Sequence, residues 1–301
     1  MDIEVRPATL ADAADVERIA AETWTDRGGD YLGRVFADWV AADGGTQRTF
    51  VADADGTAVG VVRAVMVSDH EAWMQGMRVA PAVRGRGVSG RLHEAAADWA
   101  RERGAAVARA MVFSWNGPAL AASRAAGFEP ATEFRWIHPA PDPAAEPELP
   151  VTSDAAAAWT YWQRSAARDH LRGLALAPAE SWALQELTQA ALARAADGAR
   201  LATVVAGGTR GFVHRVRVDE RELEDGGTER RAEYGVGAWA DGDAAEALLA
   251  AVARDAASVD ADRARVLVPE TVAAVSDAAA AGVEIGEEPV FVLAADLTGS
   301  G

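Results

Sequence analysis

Apolar residues at Ala13, Val16, Ile19 and Ala20 recur every three to four positions along TLADAADVERIAAETW, the period of a helix with one buried stripe. Thr9 stands where its N-cap belongs. The same period returns in DYLGRVFADWVAA, which puts Leu32, Val35, Phe36, Trp39 and Val40 on one face. IEVRPA, ahead of the first helix, alternates as a strand. RTFVADADGTAVGVVRAVMVSD predicts a hairpin turned at Asp55 and Gly56, and EAWMQGMRVAP a further strand ended by Pro81. A helix follows over SGRLHEAAADWARERG, with Leu92, Ala95, Ala96 and Trp99 inward and Gly104 as its stop. Strand AVARAMVFSW, helix GPALAASRAAG and strand FEPATEFRWI complete the first half.

The stretch HPAPDPAAEPELPVTSD carries five prolines and four acids, so it predicts a linker or a long surface crossing rather than a buried element. Beyond it the plan repeats in outline. Helical AAAAWTYWQRSAARDHLRG and SWALQELTQAALARAADG precede strands RLATVVAG, GFVHRVRVDER and RRAEYGVGAWA. Helix DAAEALLAAVARDAAS, strand RARVLVPE, helix TVAAVSDAAAAG and a strand near EEPVFVLAADL follow. The ends of the halves align, SRAAGFEPATEFRWI against AAAAGVEIGEEPVFVL, as a weak repeat. The expected fold class is α+β, a mixed and mostly antiparallel sheet flanked by helices, used twice. The expected division is a domain over 1–139, a linker over 140–154 and a second domain over 155–301.

Charge changes the picture. Of the 301 residues 46 are acidic and 29 basic, every basic one is Arg, and the net charge is −17. A nucleic-acid partner needs a basic face to neutralise phosphates and is excluded on this count. Abundant Asp and Ala without Lys resemble the composition of a salt-accumulating halophile, in which salt screens the self-repulsion. No apolar run reaches the ~18 residues of a membrane span, and the start MDIEVRPATLADA lacks the basic flank and apolar core of a signal peptide. A cytoplasmic protein without a membrane partner, monomeric or homodimeric, is the expectation. The absence of cysteine excludes disulfides, thiolate metal sites and a cysteine nucleophile, and no metal is expected.

RGRGVSG, residues 84–90, lies between a strand and a helix and has the composition of a phosphate cradle. Glycines let backbone N–H groups approach an anion, and the following helix directs its positive end there. GRGVSG satisfies G-x-G-x-x-G, but the dinucleotide fingerprint follows its strand directly and is matched by an acid ending the next strand. Here Pro81 and Arg84 intervene, and AVARAMVFSWN ends without an acid. A P-loop requires a Lys that this chain lacks. Val79, Arg84, Gly85, Arg86, Gly87, Val88, Ser89 and Gly90 instead resemble the acyl-CoA loop of the GNAT acetyltransferases, R/Q-x-x-G-x-G/A, with Ser89 a departure from its Gly or Ala. GMRVAP is similar to that family's fourth strand, and SWNGPALAASRAAGFEP to its N-x-x-A…G-F segment. The resemblance covers residues 3–137 and implies acetyl-CoA as cosubstrate. It assigns Met77, Arg78, Val79, the loop 84–90 and Asn116 as contacts to it. It also implies that the second half is a degenerate copy, in which Asp241 or Asp243 caps the helix where phosphate would sit.

Acetyl transfer to an amine needs a neutral amine, a polarised thioester and a proton for the leaving thiolate. The positions of the family's usual Glu and Tyr hold Gln75 and Ser123. Gln75 cannot act as a base, whereas Ser123 can hydrogen-bond the sulfur. Glu71, His70, Glu22 and Asp26 are further candidates for proton removal; His170 and Asp169 fit a plain helix face. GGDYLGRVFADWV with QGMRVAPAVRGRGVSG resembles the histidine N-acetyltransferase group within the family. Gly33 and Gln75 stand where that group has Pro and Glu. The resemblance makes Tyr31 and Trp39 candidates for the acceptor pocket. A small-molecule primary amine is therefore the expected acceptor, with a protein N-terminus or a CoA-binding sensor as the rival functions.

Overall fold

The computed structural model describes residues 3–24, 30–222 and 227–299. Its backbone contacts divide the chain into Met1–Pro130 with Val292–Gly301, and Ala131–Phe291.

In the first unit, β1 (Ile3–Pro7) precedes α1 (Ala13–Ala21) and α2 (Leu32–Ala41), then come β2 (Gln47–Ala54), β3 (Thr57–Met66) and β4 (Glu71–Val79). The helical stripes are buried as their period requires. Val16, Ala20, Leu32, Phe36 and Trp39 pack together on Val51, Ala58 and Val61. The β2–β3 turn has φ +54° at Asp55 and +85° at Gly56, the left-handed pair that the sequence predicts there. A crossover through α3 (Val88–Arg101) leads to β5 (Val107–Phe113), followed by α4 (Gly117–Ala125). α3 lies close on β3 because Gly60 is bare; a Cβ there would stand 3.0 Å from Leu92 Cδ1 and 3.2 Å from Val88 Cγ1. β1 to β4 are antiparallel neighbours, β5 is parallel to β4, and the chain's last strand, Val290–Asp296, lies beside β5.

The second unit takes β6 (Glu129–His138) from Ala131 onward, with β7 (Val151–Thr152), α5 (Ala155–Trp162) and α6 (Ala166–His170). There follow β8 (Leu174–Leu176), β9 (Leu184–Glu186), α7 (Gln189–Asp197), β10 (Leu201–Val205), β11 (Thr209–Glu222) and β12 (Thr228–Trp239). α8 (Gly242–Ser258), β13 (Arg263–Pro269), α9 (Val272–Ala280) and β14 (Glu284–Ile285) complete it, and the last strand is β15. The sheet order is β6-β13-β12-β11-β10-β7, with β12 and β13 parallel.

Three expectations differ from the structure. The chain divides at Pro130/Ala131 and again at Phe291/Val292, not over 140–154, because β6 builds the second unit and the end of β15 the first. The proline-rich run is a surface crossing inside the second unit; Asp142 donates its N–H to the Ala253 carbonyl, and Thr152 pairs with Thr203. SWALQEL is not helical: Leu184 pairs with Leu176 in a small hairpin, and α7 starts only after Thr188, whose Oγ1 accepts from Ala191 N–H. The spacing of Leu184 and Leu187 imitates a helix because both are buried, one in the strand and one just past its end. Ser165 likewise caps a new helix within the run expected to be continuous from Ala155.

His214 on β11 is 6% exposed, beside Phe212 and tight against Gly235, where a Cβ would stand 2.5 Å from the imidazole Cε1. Burial pushes its pKa down to about 4. The folded value lies below the unfolded one of about 6.5, so the unfolded chain binds the proton first as the solution is acidified. The stability held by neutral His214 is complete above about pH 6.5 and drains away toward pH 4, by about 2–3 kcal/mol at pH 4.5. Urea midpoints at pH 7 and pH 4.5 should fall further for the wild type than for His214→Phe. Equal falls would show that His214 does not carry the effect.

Candidate active site

The site begins where two parallel strands part. β4 and β5 pair from Glu71 with Val107 to Met74 with Ala110, and no further. From Gln75 to Val79 β4 keeps its antiparallel partner β3, through a register shift between Val61 and Arg63, while its other backbone edge faces an opening. Gly76, at φ +67°, makes the kink. A Cβ there would meet Trp39 Cζ3 at 2.6 Å, so both the left-handed backbone and the packed indole demand glycine. An open strand edge of this kind accepts an extended amide-bearing chain through backbone hydrogen bonds.

That edge runs into the glycine loop. A short turn at Pro81–Val83 leads to Arg84, whose Nε donates to the Val79 carbonyl at 3.1 Å. Gly85 and Gly87 have φ of +73° and +76°, and Gly87 stands at the N-cap of α3 without a side-chain cap. Among the described residues, no protein acceptor takes the N–H groups of residues 85–90. No acid occupies the first turn of α3. Nothing lies within 4 Å of a Cβ at Gly85, Gly87 or Gly90, so the cradle has room for a phosphate. Arg84 and Arg86 are exposed beside it, Val88 is buried under α3, and Ser89 is half-buried. In the second unit the corresponding helix start is filled: Asp241 accepts from Ala244 N–H at 3.0 Å and pairs with Arg210 at 2.5 Å.

The other predicted residues fall into distinct roles. Ser123, on α4, is 5% exposed. Gln75 is half-buried opposite Arg63. Glu71 lies at the far end of β4, about 13 Å along the strand from Gln75. Its carboxylate is 2% exposed, paired with Arg109 and accepting from Ser68 Oγ at 2.8 Å, an arrangement that suits a structural ion pair. Asn116 spends its Oδ1 on the Ala119 N–H as the cap of α4. Met77 and Val79 sit on the open edge, and Arg78 turns its side chain the other way, toward α1 and α2: its guanidinium holds Asp30 at 2.5 Å. Tyr31 and Trp39 meet edge to face at 6.2 Å, Trp39 buried and Tyr31 38% exposed. Glu22 is exposed at the end of α1, His70 is solvated in its turn, and Asp26 lies outside the described residues. His170 touches the Glu133 carbonyl through Nε2, and Asp169 is exposed.

Sequence reasoning missed Trp24, Asp30, Phe113, Trp115 and His93. Trp24 stands 4.0 Å below the Arg78 guanidinium, 5.9 Å from Phe113 and 5.6 Å from Trp115. Strand alternation puts Phe113 on the same face as Arg109, which was a usable signal; Trp24, beyond its helix at φ +54°, had none. His93 is buried against Phe128, its Nδ1 donating to the Ser89 carbonyl at 2.9 Å, and burial holds its pKa below the usual range.

Residues 13–128 match the model of the Acetyltransferase (GNAT) family. The fold of almost the whole chain recurs in a GCN5-related N-acetyltransferase from Sphaerobacter thermophilus, at TM-score 0.60 and 16% identity over 98% of this chain and 96% of that one. A Thermoplasma acidophilum protein assigned as an acetyltransferase aligns at TM-score 0.55 and 16% identity, over 97% and 99% of the two chains. No curated protein matches the chain significantly. Residues 13–128 thus carry a GNAT acetyltransferase domain. That domain is the kind that performs acyl-CoA-dependent N-acetyl transfer. No described helix is long and apolar enough to cross a membrane, and no described group of three or more His, Asp or Glu is arranged around a metal position.

Proposed function

We propose that the first unit moves the acetyl group of acetyl-CoA to a primary amine of a small molecule, by direct transfer while both are bound. The observation that carries this is the open edge of β4 ending at a cradle of unclaimed amides. An extended pantetheine arm pairs with the backbone of Gln75–Val79 while the pyrophosphate rests on the amides of residues 85–90. The bond made is from the amine nitrogen to the acetyl carbon and the bond broken is carbon to sulfur; the ammonium gives one proton to solvent before attack, and the second proton the nitrogen loses balances the one the thiolate takes up. With no cysteine in the chain, no thioester on the enzyme intervenes. Backbone N–H near Val79 polarises the carbonyl, and Ser123 donates toward the sulfur. Glu71 is engaged by Arg109 and Ser68, so proton removal runs through water. Holding a lysine-type amine of pKa ~10.4 neutral at pH 7 costs about 4–5 kcal/mol, against about 1 for a peptide α-amine.

The test is thiol release from acetyl-CoA in molar salt, across amino acids, polyamines, aminoglycosides and short peptides. Turnover of one class names the acceptor, and peptides outcompeting free amino acids would move the assignment to a protein N-terminus. Protection against melting by acetyl-CoA with no turnover of any amine would favour a CoA-binding sensor, the reading suggested by the missing carboxylate at Gln75.

A further inference from the structure

We propose that the acceptor is a free α-amino acid with a flat side chain. Its carboxylate docks on the outer edge of the Arg78 guanidinium, and its side chain lies against Trp24, Phe113 and Trp115. The inference rests on the acyl-transfer reading above and names the acceptor of that same site.

Arg78 is aimed at the acceptor side. Its cross-strand partner Val61 belongs to the core under α1 and α2, whereas Gly60, the partner of Val79, faces α3. The guanidinium carries five N–H groups in one plane. Nε and Nη2 take the Asp30 carboxylate at 2.5 and 3.3 Å, and Nη1 donates to the Met77 carbonyl at 2.9 Å. One N–H on Nη1 and one on Nη2 remain, side by side on the distal edge, with no acceptor among the described residues. That fork matches the two oxygens of a carboxylate. The group is already oriented, by Asp30 on its flank and by the Trp24 ring 4.0 Å away, so docking costs it little further freedom.

The rings stand across from it. Arg78 lies near the end of β4 and Phe113 ends β5, and the Trp24 indole bridges the two strand ends where they have parted. Phe113 and Trp115 stack at 5.4 Å with planes 7° apart, and all three rings are half-exposed. Such a wall offers a flat apolar surface beside the gap between the two strand ends. Charge selects further. Asp30 is covered and cancels Arg78, so an incoming carboxylate alone would leave the site negative and an ammonium alone positive. A zwitterion enters without changing the site's net charge, and its ammonium sheds a proton before attack. In an α-amino acid the amine is two bonds from the carboxylate carbon, so anchoring one end delivers the other to the gap between the strands.

The experiment compares kcat/KM for phenylalanine with 2-phenylethylamine, and for histidine with histamine, at saturating acetyl-CoA. The expected preference for the acid is roughly 10- to 100-fold in the wild type, the scale of charge-assisted hydrogen bonds. Arg78→Gln should bring that ratio toward one while acetyl-CoA still protects the variant against melting. Trp115→Ala should lower the preference for phenylalanine over alanine and leave the acid-to-amine ratio in place. The proposal is overturned if the wild type uses the amine, phenylalaninamide or a phenylalanyl dipeptide as well as the acid. It is also overturned if Arg78→Gln keeps the ratio. Should Arg78→Gln not fold, the wild-type comparison decides alone. Failure of the acyl-transfer reading looks different, with no thiol release from any acceptor and no protection by acetyl-CoA, and it overturns both.

Discussion

Gly87→Glu should abolish acetyl-CoA binding, with an affinity loss of at least about 100-fold by calorimetry, while leaving the fold intact. Two effects combine. Gly87 has φ +76°, a backbone that costs an L-residue about 1–2 kcal/mol. Space is not the problem, because nothing lies within 4 Å of a Cβ there. Gly87→Ala therefore isolates the backbone cost and should weaken binding no more than about thirtyfold, the factor that about 2 kcal/mol corresponds to. Glu adds a carboxylate to a site where the unclaimed amides of residues 85–90 and the positive end of α3 favour one anion only. The second unit shows the outcome in its own sequence: Asp241 caps α8 and takes the amide that a phosphate would need. Wild-type affinity in Gly87→Glu would show that the phosphates bind elsewhere.

The conformation of the loop was legible because its determinants are local. Glycines, arginines and a following helix within seven residues state the backbone geometry and the charge together. Arg78 was assigned through the resemblance of its strand alone; that its side chain holds Asp30, 48 positions away, follows from tertiary packing and from no local pattern. Glu71 looked available for proton removal because its partner Arg109 is 38 positions away and only the β4–β5 register joins them. The division of the chain was hidden for a different reason. The ends of β6 and β15 follow similar tails, so either strand satisfies either half, and the hydrophobic pattern does not choose between them. The structure assigns each to the unit built mainly by the other half.

The largest loss of stability should come from Glu233→Gln in the second unit. Glu233, on β12, is 2% exposed and receives Arg217 Nε at 2.7 Å on one oxygen and Arg265 on the other. Arg265 is 3% exposed between the rings of Trp136 at 4.1 Å and Trp182 at 4.2 Å, and burial lowers its pKa to about 10. Arg265 Nε and Arg217 Nη2 already lack an acceptor among the described residues. Neutralising Glu233 leaves Arg265 a buried cation without a counter-charge, and breaking a buried pair in this way costs about 3–5 kcal/mol. Asp219, 3.4 Å from Arg217, supplies part of the lost charge. Burial and the neighbouring Glu233 now hold its carboxyl above the usual range, and removing Glu233 relieves the second of these. Arg265→Met should be milder although it deletes more atoms, because it leaves Glu233 and Arg217 as one matched pair and sets an unbranched apolar chain between the two indoles. Urea unfolding of both variants measures the order. If Arg265→Met proved the more damaging, the stacked guanidinium, and not charge balance, would be what holds this face of the sheet together.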